Sequence, residues 1–137
     1  MYLLDTNACI KILNSDSPSL VSRLQSHHPS QIRLSSVVKA ELVYGARKSA
    51  RPAENLRVLQ DFFAPFRSVA FDDQCSEPYG IIRAELERAG KPIGPYDMMI
   101  AATAIGYGLI LVTHNRSEFS RIAGLNWEDW EDPVTKS

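Results

Sequence analysis

Three acidic residues far apart in the chain, Asp5, Glu41 and Asp97, each stand where an apolar segment meets polar surroundings. Asp5 follows Tyr2-Leu3-Leu4, a run long enough for a short buried strand, and precedes Thr6-Asn7, residue types that cap helices. A carboxylate at the C-terminal end of a first strand, with a helix behind it, occupies the place where open α/β sheets bind ligands. Helix capping alone accounts for Asp5 equally well. Glu41 lies in the middle of the stripe Val37, Val38, Leu42 and Gly45, where a charge needs compensation. The competing reading is an edge glutamate that reaches solvent or pairs with Arg47 or Lys48. Asp97 opens the segment Met98–Ile105, apolar on every side except at Thr103, so it sits at the lip of a buried helix and could also cap it. Thr113-His114-Asn115 ends the apolar run Leu109–Val112, again polar residues at a strand's edge.

The elements that must carry these residues follow from periodicity. Helical spacing predicts a helix through Ala8, Cys9, Ile12 and Leu13 to about Asn14, and a short one from Pro18 with Leu20, Val21 and Leu24 inward. His27-His28 ends that helix and is read as exposed, because helical neighbours point about 100° apart and cannot share a metal. Ile32-Arg33-Leu34 is a second strand, followed by a helix from about Val37 to Ser49 and another from Pro52 to about Ala64, a helical hairpin. Arg67–Phe71 is a third strand, and Asp72 or Asp73 caps a helix that carries Cys75, Tyr79, Ile82, Leu86 and Ala89 inward and stops at Gly90. Gly106 and Gly108 end the Asp97 helix, and Leu109–Val112 is the central strand. A short helix from Ser117 to Ile122 carries Glu118, and Leu125–Trp127 is an edge strand. Trp127 and Trp130 cover core, and Glu128, Asp129, Glu131 and Asp132 form a solvated acidic end.

Alternating strands and helices imply an α/β fold with a central, mostly parallel sheet of four to five strands between helical layers. A chain of 137 residues with 45% hydrophobic content fits one domain, here residues 1–131, with 132–137 as a flexible tail. No stretch approaches the ~20 apolar residues of a membrane span, and no basic segment precedes the first apolar run, which reads as cytoplasmic. Cys9 and Cys75 fall on apolar faces and read as small buried hydrophobes. Fifteen basic against sixteen acidic residues leave a net charge of -1, so any nucleic-acid contact must be a local patch. There is no glycine-rich phosphate loop and no Gly-x-Ser-x-Gly elbow.

In a parallel sheet the C-terminal strand ends share one edge, which brings Asp5 and Asn115 together and Asp97 and Glu41 beside them. Carboxylates gathered in one cleft repel, and either protonate or surround a hard divalent cation. Mg²⁺ and Mn²⁺ prefer oxygen ligands, keep waters and complete their shells with phosphate oxygens. A metal-activated water would then attack a phosphodiester.

Leu3-Leu4-Asp5-Thr6-Asn7, the Glu41 helix, Gly94-Pro95-Tyr96-Asp97 and Val112-Thr113-His114-Asn115 resemble the signatures of PIN-domain ribonucleases. Their order, with the Glu118-Phe119 and Trp127–Trp130 segments, is most similar to VapC toxins of type II toxin–antitoxin systems, over Met1 to about Trp130. The resemblance implies a PIN-like three-layer sandwich and a Mg²⁺-dependent endoribonuclease in which Mn²⁺ substitutes. Asp5, Glu41 and Asp97 match its catalytic, metal-binding triad, and Thr6 and Thr113 match residues that orient it. Asn115 stands where many PIN domains carry a fourth acid. The implied substrate is transfer RNA, with the anticodon stem–loop of initiator transfer RNA as the particular expectation. The implied partner is a VapB-type antitoxin.

Arg47, Lys48 and Arg83, with Arg51 and Arg88, are the candidate phosphate contacts, although an Arg83–Glu87 pair explains part of that set. The hairpin residues Leu56, Phe62, Phe63 and Phe66 suggest excess apolar surface, hence a homodimer that forms a heterotetramer or larger assembly with antitoxin. The alternative is a catalytically weak PIN-like binding module, favoured by Asn115. A phosphoacceptor domain would want paired acids after the first strand and a late lysine, and neither is found.

Overall fold

Leu3 and Leu4 are fully buried in the first strand, β1 (Tyr2–Leu4), which lies at the centre of the sheet. The structure, a computed structural model, describes residues 1–131. Helices α1 (Thr6–Asn14) and α2 (Pro18–Gln25) lead to β2 (Ile32–Ser35). The hairpin α3 (Ser36–Arg47) and α4 (Pro52–Phe63) leads to β3 (Arg67–Val69). Helices α5 (Asp73–Arg88) and α6 (Pro95–Tyr107) precede β4 (Ile110–Val112), and α7 (Arg116–Phe119) precedes β5 (Trp127–Glu128). Within the described residues these form a five-stranded sheet of order β3-β2-β1-β4-β5, parallel at every pairing and flanked by helices.

The order fixes where a site must lie. From β1 the chain moves outward through β2 and β3, and then returns to the other side of β1 to lay down β4 and β5. The sheet therefore changes direction between β1 and β4, and such a switch point leaves a crevice at the strands' C-terminal ends. Tyr2, Leu3 and Leu4 pair with Ile110, Leu111 and Val112. That register delivers Asp5 and Thr113 to the crevice side by side, with the Asp5 N–H donating to the Val112 carbonyl at 3.1 Å.

Packing explains α6, whose buried residues Met98, Ile100, Ala101, Ala102, Thr103 and Ala104 leave it covered around its circumference. It packs most extensively on α5. Gly106 permits that contact: a Cβ there would stand 2.7 Å from the Gln74 carbonyl oxygen, while the Gln74 amide donates to the Gly106 carbonyl at 2.9 Å. Gly106 thus lies inside the helix rather than ending it, and Gly108, at φ +66°, is the cap.

Several sequence expectations are corrected. Gly94, not Asp97, is the N-cap of α6, because Pro95 takes the first helical position and moves Asp97 into the first turn. β3 stops at Val69, α7 spans Arg116–Phe119, and β5 is Trp127–Glu128, shifted past Leu125 because its partners on β4 are Leu111 and Val112. The acidic end is not solvated: Asp129 accepts from Arg116 Nε at 2.7 Å and Glu131 meets Lys11 Nζ at 2.5 Å. Asp132 and the tail lie outside the described residues. Leu56, Phe62, Phe63 and Phe66 are half-buried against the core, and the exposed large apolar residues are instead Ile10, Tyr44, Val58, Ile81, Tyr96 and Met1. Trp130 is fully buried and Trp127 half-buried, as cover for the core requires.

Candidate active site

Asp5 both caps α1 and faces the crevice. Its Oδ1 accepts the Ala8 N–H at 2.8 Å, and the Thr113 hydroxyl also bonds to its carboxylate. The Thr113 oxygen in turn accepts the Asn115 N–H at 3.0 Å. Only 4% of Asp5 is exposed, and burial outweighs these bonds, pushing its pKa up to about 6. Glu41 reaches the same region from α3, where the Thr6 hydroxyl donates to its Oε1 at 2.6 Å. Neither Arg47 nor Lys48 forms an ion pair with it among the described residues.

Asp97 connects the set. Burial raises its pKa first, then a hydrogen-bonded contact with Glu118, then the charges of Glu118, Asp5 and Glu41, together bringing it up to about 7. Glu118 is the residue that sequence reasoning passed over. Asn115, expected at the position of a fourth acid, instead donates from Nδ2 to Glu118 Oε1 at 3.0 Å, while Ser117 Oγ donates to the Asn115 amide oxygen at 3.3 Å. The amide thus positions a carboxylate that supplies the fourth negative charge. The three-residue spacing between Asn115, the residue that precedes α7, and Glu118 within it was the available signal.

A second acidic group adjoins the cleft. Ligand atoms of His114, Asp129 and Glu131 lie within 4.8 Å of one another, the one such trio among the described residues. This trio already has its cations. Burial alone would raise Asp129, but hydrogen bonds from the Glu131 N–H, Arg116 and His114 hold it below the ordinary carboxylate value. Asp5, Glu41, Asp97 and Glu118 form no ion pair among the described residues. Lys11, the cation that acts on Asp5, is held by Glu131. An all-oxygen donor set with unmatched charge fits a hard divalent cation.

Of the basic residues, Lys48 lines the groove that contains Thr6 and Glu41. Arg47 is exposed on α3. Arg83 is exposed on α5, where its Nε lies 3.0 Å from Glu87 Oε2 and its NH1 donates to the Tyr79 hydroxyl.

A parallel sheet of this order with acids gathered at its switch point defines a PIN domain, and the sequence profile of the PIN domain matches residues 2–125. The chain is 42% identical to the tRNA(fMet)-specific endonuclease VapC of Salmonella typhimurium, over 94% of this chain and 97% of that protein. It is 38% identical to ribonuclease VapC2 of Haemophilus influenzae, with the same coverage. The crystal structure of VapBC2 from Rickettsia felis bound to a promoter DNA fragment contains a chain that superposes with a TM-score of 0.88 at 38% identity, covering 94% of this chain and 98% of that one. The chain belongs to the VapC ribonucleases of the PIN-domain family. Nucleases of this family work with a divalent metal ion, in keeping with the donor set. No helix among the described residues is long and apolar enough to cross a membrane.

Proposed function

We propose that this chain is the toxin of a VapBC-type pair, acting in the cytoplasm as a Mg²⁺-dependent endoribonuclease that Mn²⁺ also supports. Its substrate is transfer RNA, and the name of the Salmonella relative supports the initiator species. The observation that carries the reading is the convergence of four carboxylates on one crevice, Asp5 bonded to the Ala8 N–H, Glu41 to Thr6 and Glu118 to Asn115, with Asp97 raised by the others and no ion pair to any of the four among the described residues. Such a group is strained without a cation and ready for one. The solved VapBC complexes of related chains support a VapB-type antitoxin as partner, and we assign the assembly as a toxin homodimer within a larger complex.

Asp5 and Asp97 would hold the metal, with Glu118 beside Asp97 and Glu41 across the cleft. When bound, the ion supplies Lewis-acid stabilisation of charge on the phosphoryl oxygens and makes water a usable nucleophile near neutral pH. Thr6 commits its hydroxyl to Glu41 Oε1, which orients that side chain and leaves Oε2 to take the proton of an attacking water. The Thr113 hydroxyl favours the ionised form of the Asp5 carboxylate. The alternative of a catalytically weak binding module rested on Asn115, and the Glu118 carboxylate held by that amide removes its ground.

Cleavage of initiator transfer RNA by purified protein tests the reading. Asp97→Asn is expected to lower the rate by at least about 100-fold, the scale of losing one main electrostatic group, with an unchanged circular dichroism spectrum. Activity lost in EDTA returns with Mg²⁺ or Mn²⁺. Full activity in excess EDTA, or an Asp97→Asn variant that cuts normally, would refute it.

A further inference from the structure

Beside the acid cleft runs an open groove of about 850 Å³ between α1, α3 and α6. Thr6 and Glu41 line both, so the groove is continuous with the site of cutting. Tyr44 and Tyr96 also line it, and they are 63% and 56% exposed, unusual for residues of that size. Each is tied to an acid by sequence. Tyr44 follows Glu41 by three residues on α3, hence on the same helical face, and Tyr96 immediately precedes Asp97. Lys48, one turn beyond Tyr44, places Nζ 5.0 Å from the centre of the Tyr44 ring. Asn7 adds a side-chain amide that makes no hydrogen bond among the described residues.

We propose that this groove receives one unstacked nucleobase of the RNA, from a nucleotide flanking the scissile phosphate. Tyr44 is the stacking surface, Tyr96 the opposite wall and Lys48 the contact to the adjoining phosphate. Base-on-aromatic stacking tolerates any base and needs an exposed ring beside a cation, which is the arrangement found. The neighbouring groove between α1, α3 and α4 is of another kind. It is lined by Leu13, Leu42, Val58 and Leu59 together with Asn14 and Asn55, and among the described residues it offers neither an aromatic ring on which a base could stack nor a cation for the adjoining phosphate. The charge pattern agrees: with a net charge of -1, the chain binds RNA through local contacts, and stacking supplies affinity that does not depend on overall charge.

The proposal rests on the ribonuclease reading, and the test separates the two. Steady-state cleavage is measured in Mg²⁺ on an initiator transfer RNA anticodon stem–loop and on copies made abasic at single loop positions. Tyr44→Ala is expected to raise KM roughly 5- to 150-fold, the range for losing one stacked base, with kcat changed far less. Tyr44→Phe restores KM, since the ring alone stacks. In the wild type one abasic position reproduces the loss, and in Tyr44→Ala that same position adds nothing. An unmoved KM, or losses that simply add, overturns the proposal. An unmoved KM with weakened inhibition by the antitoxin would give the groove to a protein segment. A dimer that falls apart with no base-dependent effect would give it to a second copy of the chain, and either outcome overturns the proposal. Wild-type protein that cuts no RNA would sink the ribonuclease reading itself.

Discussion

Replacing Asp5 by Asn should make the metal-free protein more stable, although the residue is central to the site. Asp5 is nine-tenths or more buried, and its pKa stands at about 6 against an ordinary 3.8. At pH 8 the folded protein must ionise a group it would rather keep neutral, at a cost of about 3 kcal/mol from ~1.36 kcal/mol per pKa unit. The sign follows from the order of titration. Below pH 3.8 the group is protonated in both states and costs nothing. Between 3.8 and about 6 the unfolded chain ionises first, so stability falls as pH rises, and above about 6 the penalty is complete. Asn keeps an oxygen for the Ala8 N–H but removes an acceptor for the Thr113 hydroxyl, which offsets about 1 kcal/mol. The expected gain is therefore about 2 kcal/mol at pH 8 in EDTA, and at pH 4, where only about 0.5 kcal/mol of the penalty remains, it turns into a loss of about 0.5 kcal/mol. Magnesium should reverse the ranking at a hundred times its Kd, where it adds about 2.7 kcal/mol to the wild type and nothing to the variant. Urea unfolding followed by tryptophan fluorescence, at both pH values and with either EDTA or Mg²⁺, measures all four. An Asp5→Asn variant less stable than wild type at pH 8 in EDTA, or a gap that widens on acidification, would refute the reasoning.

Three further predictions concern the groups that hold the site. Thr6→Val removes the 2.6 Å bond to Glu41 and should lower cleavage by roughly 10-fold or more, since a hydrogen bond to a charged group is worth about 1.5–3 kcal/mol; single-turnover rates at saturating RNA read the loss. Glu118→Gln should bring Asp97 down from about 7 in metal-free protein, because both the contact and the charge that raise it are lost; carboxyl carbon-13 NMR follows the midpoint, and an unmoved midpoint counts against the contact. Gly106→Ala forces a Cβ to within 2.7 Å of a backbone oxygen on α5 and should cost about 1–3 kcal/mol in urea unfolding, with little effect on metal affinity by calorimetry.

Legibility in the sequence followed the range of the forces involved. Periodicity located the five strands and the seven α-helices to within a few residues and missed only the single 3-10 turn Pro29–Gln31 among the described residues, because burial of one face is a local pattern: the all-apolar Met98–Ile105 segment could only be an interior helix. Asp5 and Asp97 were visible for the same reason, each breaking an apolar run. The misplaced cap at Asp97 came from a short-range rule as well, since Pro95 claims the helix start and leaves the acid within the first turn. What could not be read locally was which charges neutralise one another. Glu128, Asp129 and Glu131 look like a solvated acidic run, yet Arg23, Arg116 and Lys11 come from elsewhere in the chain to meet them. Glu118 looks like an ordinary helix glutamate until the fold sets it against Asp97.

Near-balance of charge over the whole chain therefore says little about the site. Sixteen acids and fifteen bases would allow almost every carboxylate a partner. Among the described residues the fold instead pairs cations with the acids around β5 and with none of the four at the switch point. The two groups lie close together, with Lys11 and Glu131 both acting on Asp5, so proximity to positive charge does not separate them. Commitment does: Lys11 is bound to Glu131, and Arg116 to Asp129, before either can serve the cleft. Holding these cations away leaves the four carboxylates unmatched among the described residues, the imbalance that a divalent ion would relieve. Breaking the Lys11–Glu131 pair should therefore let the lysine compete with that ion for Asp5.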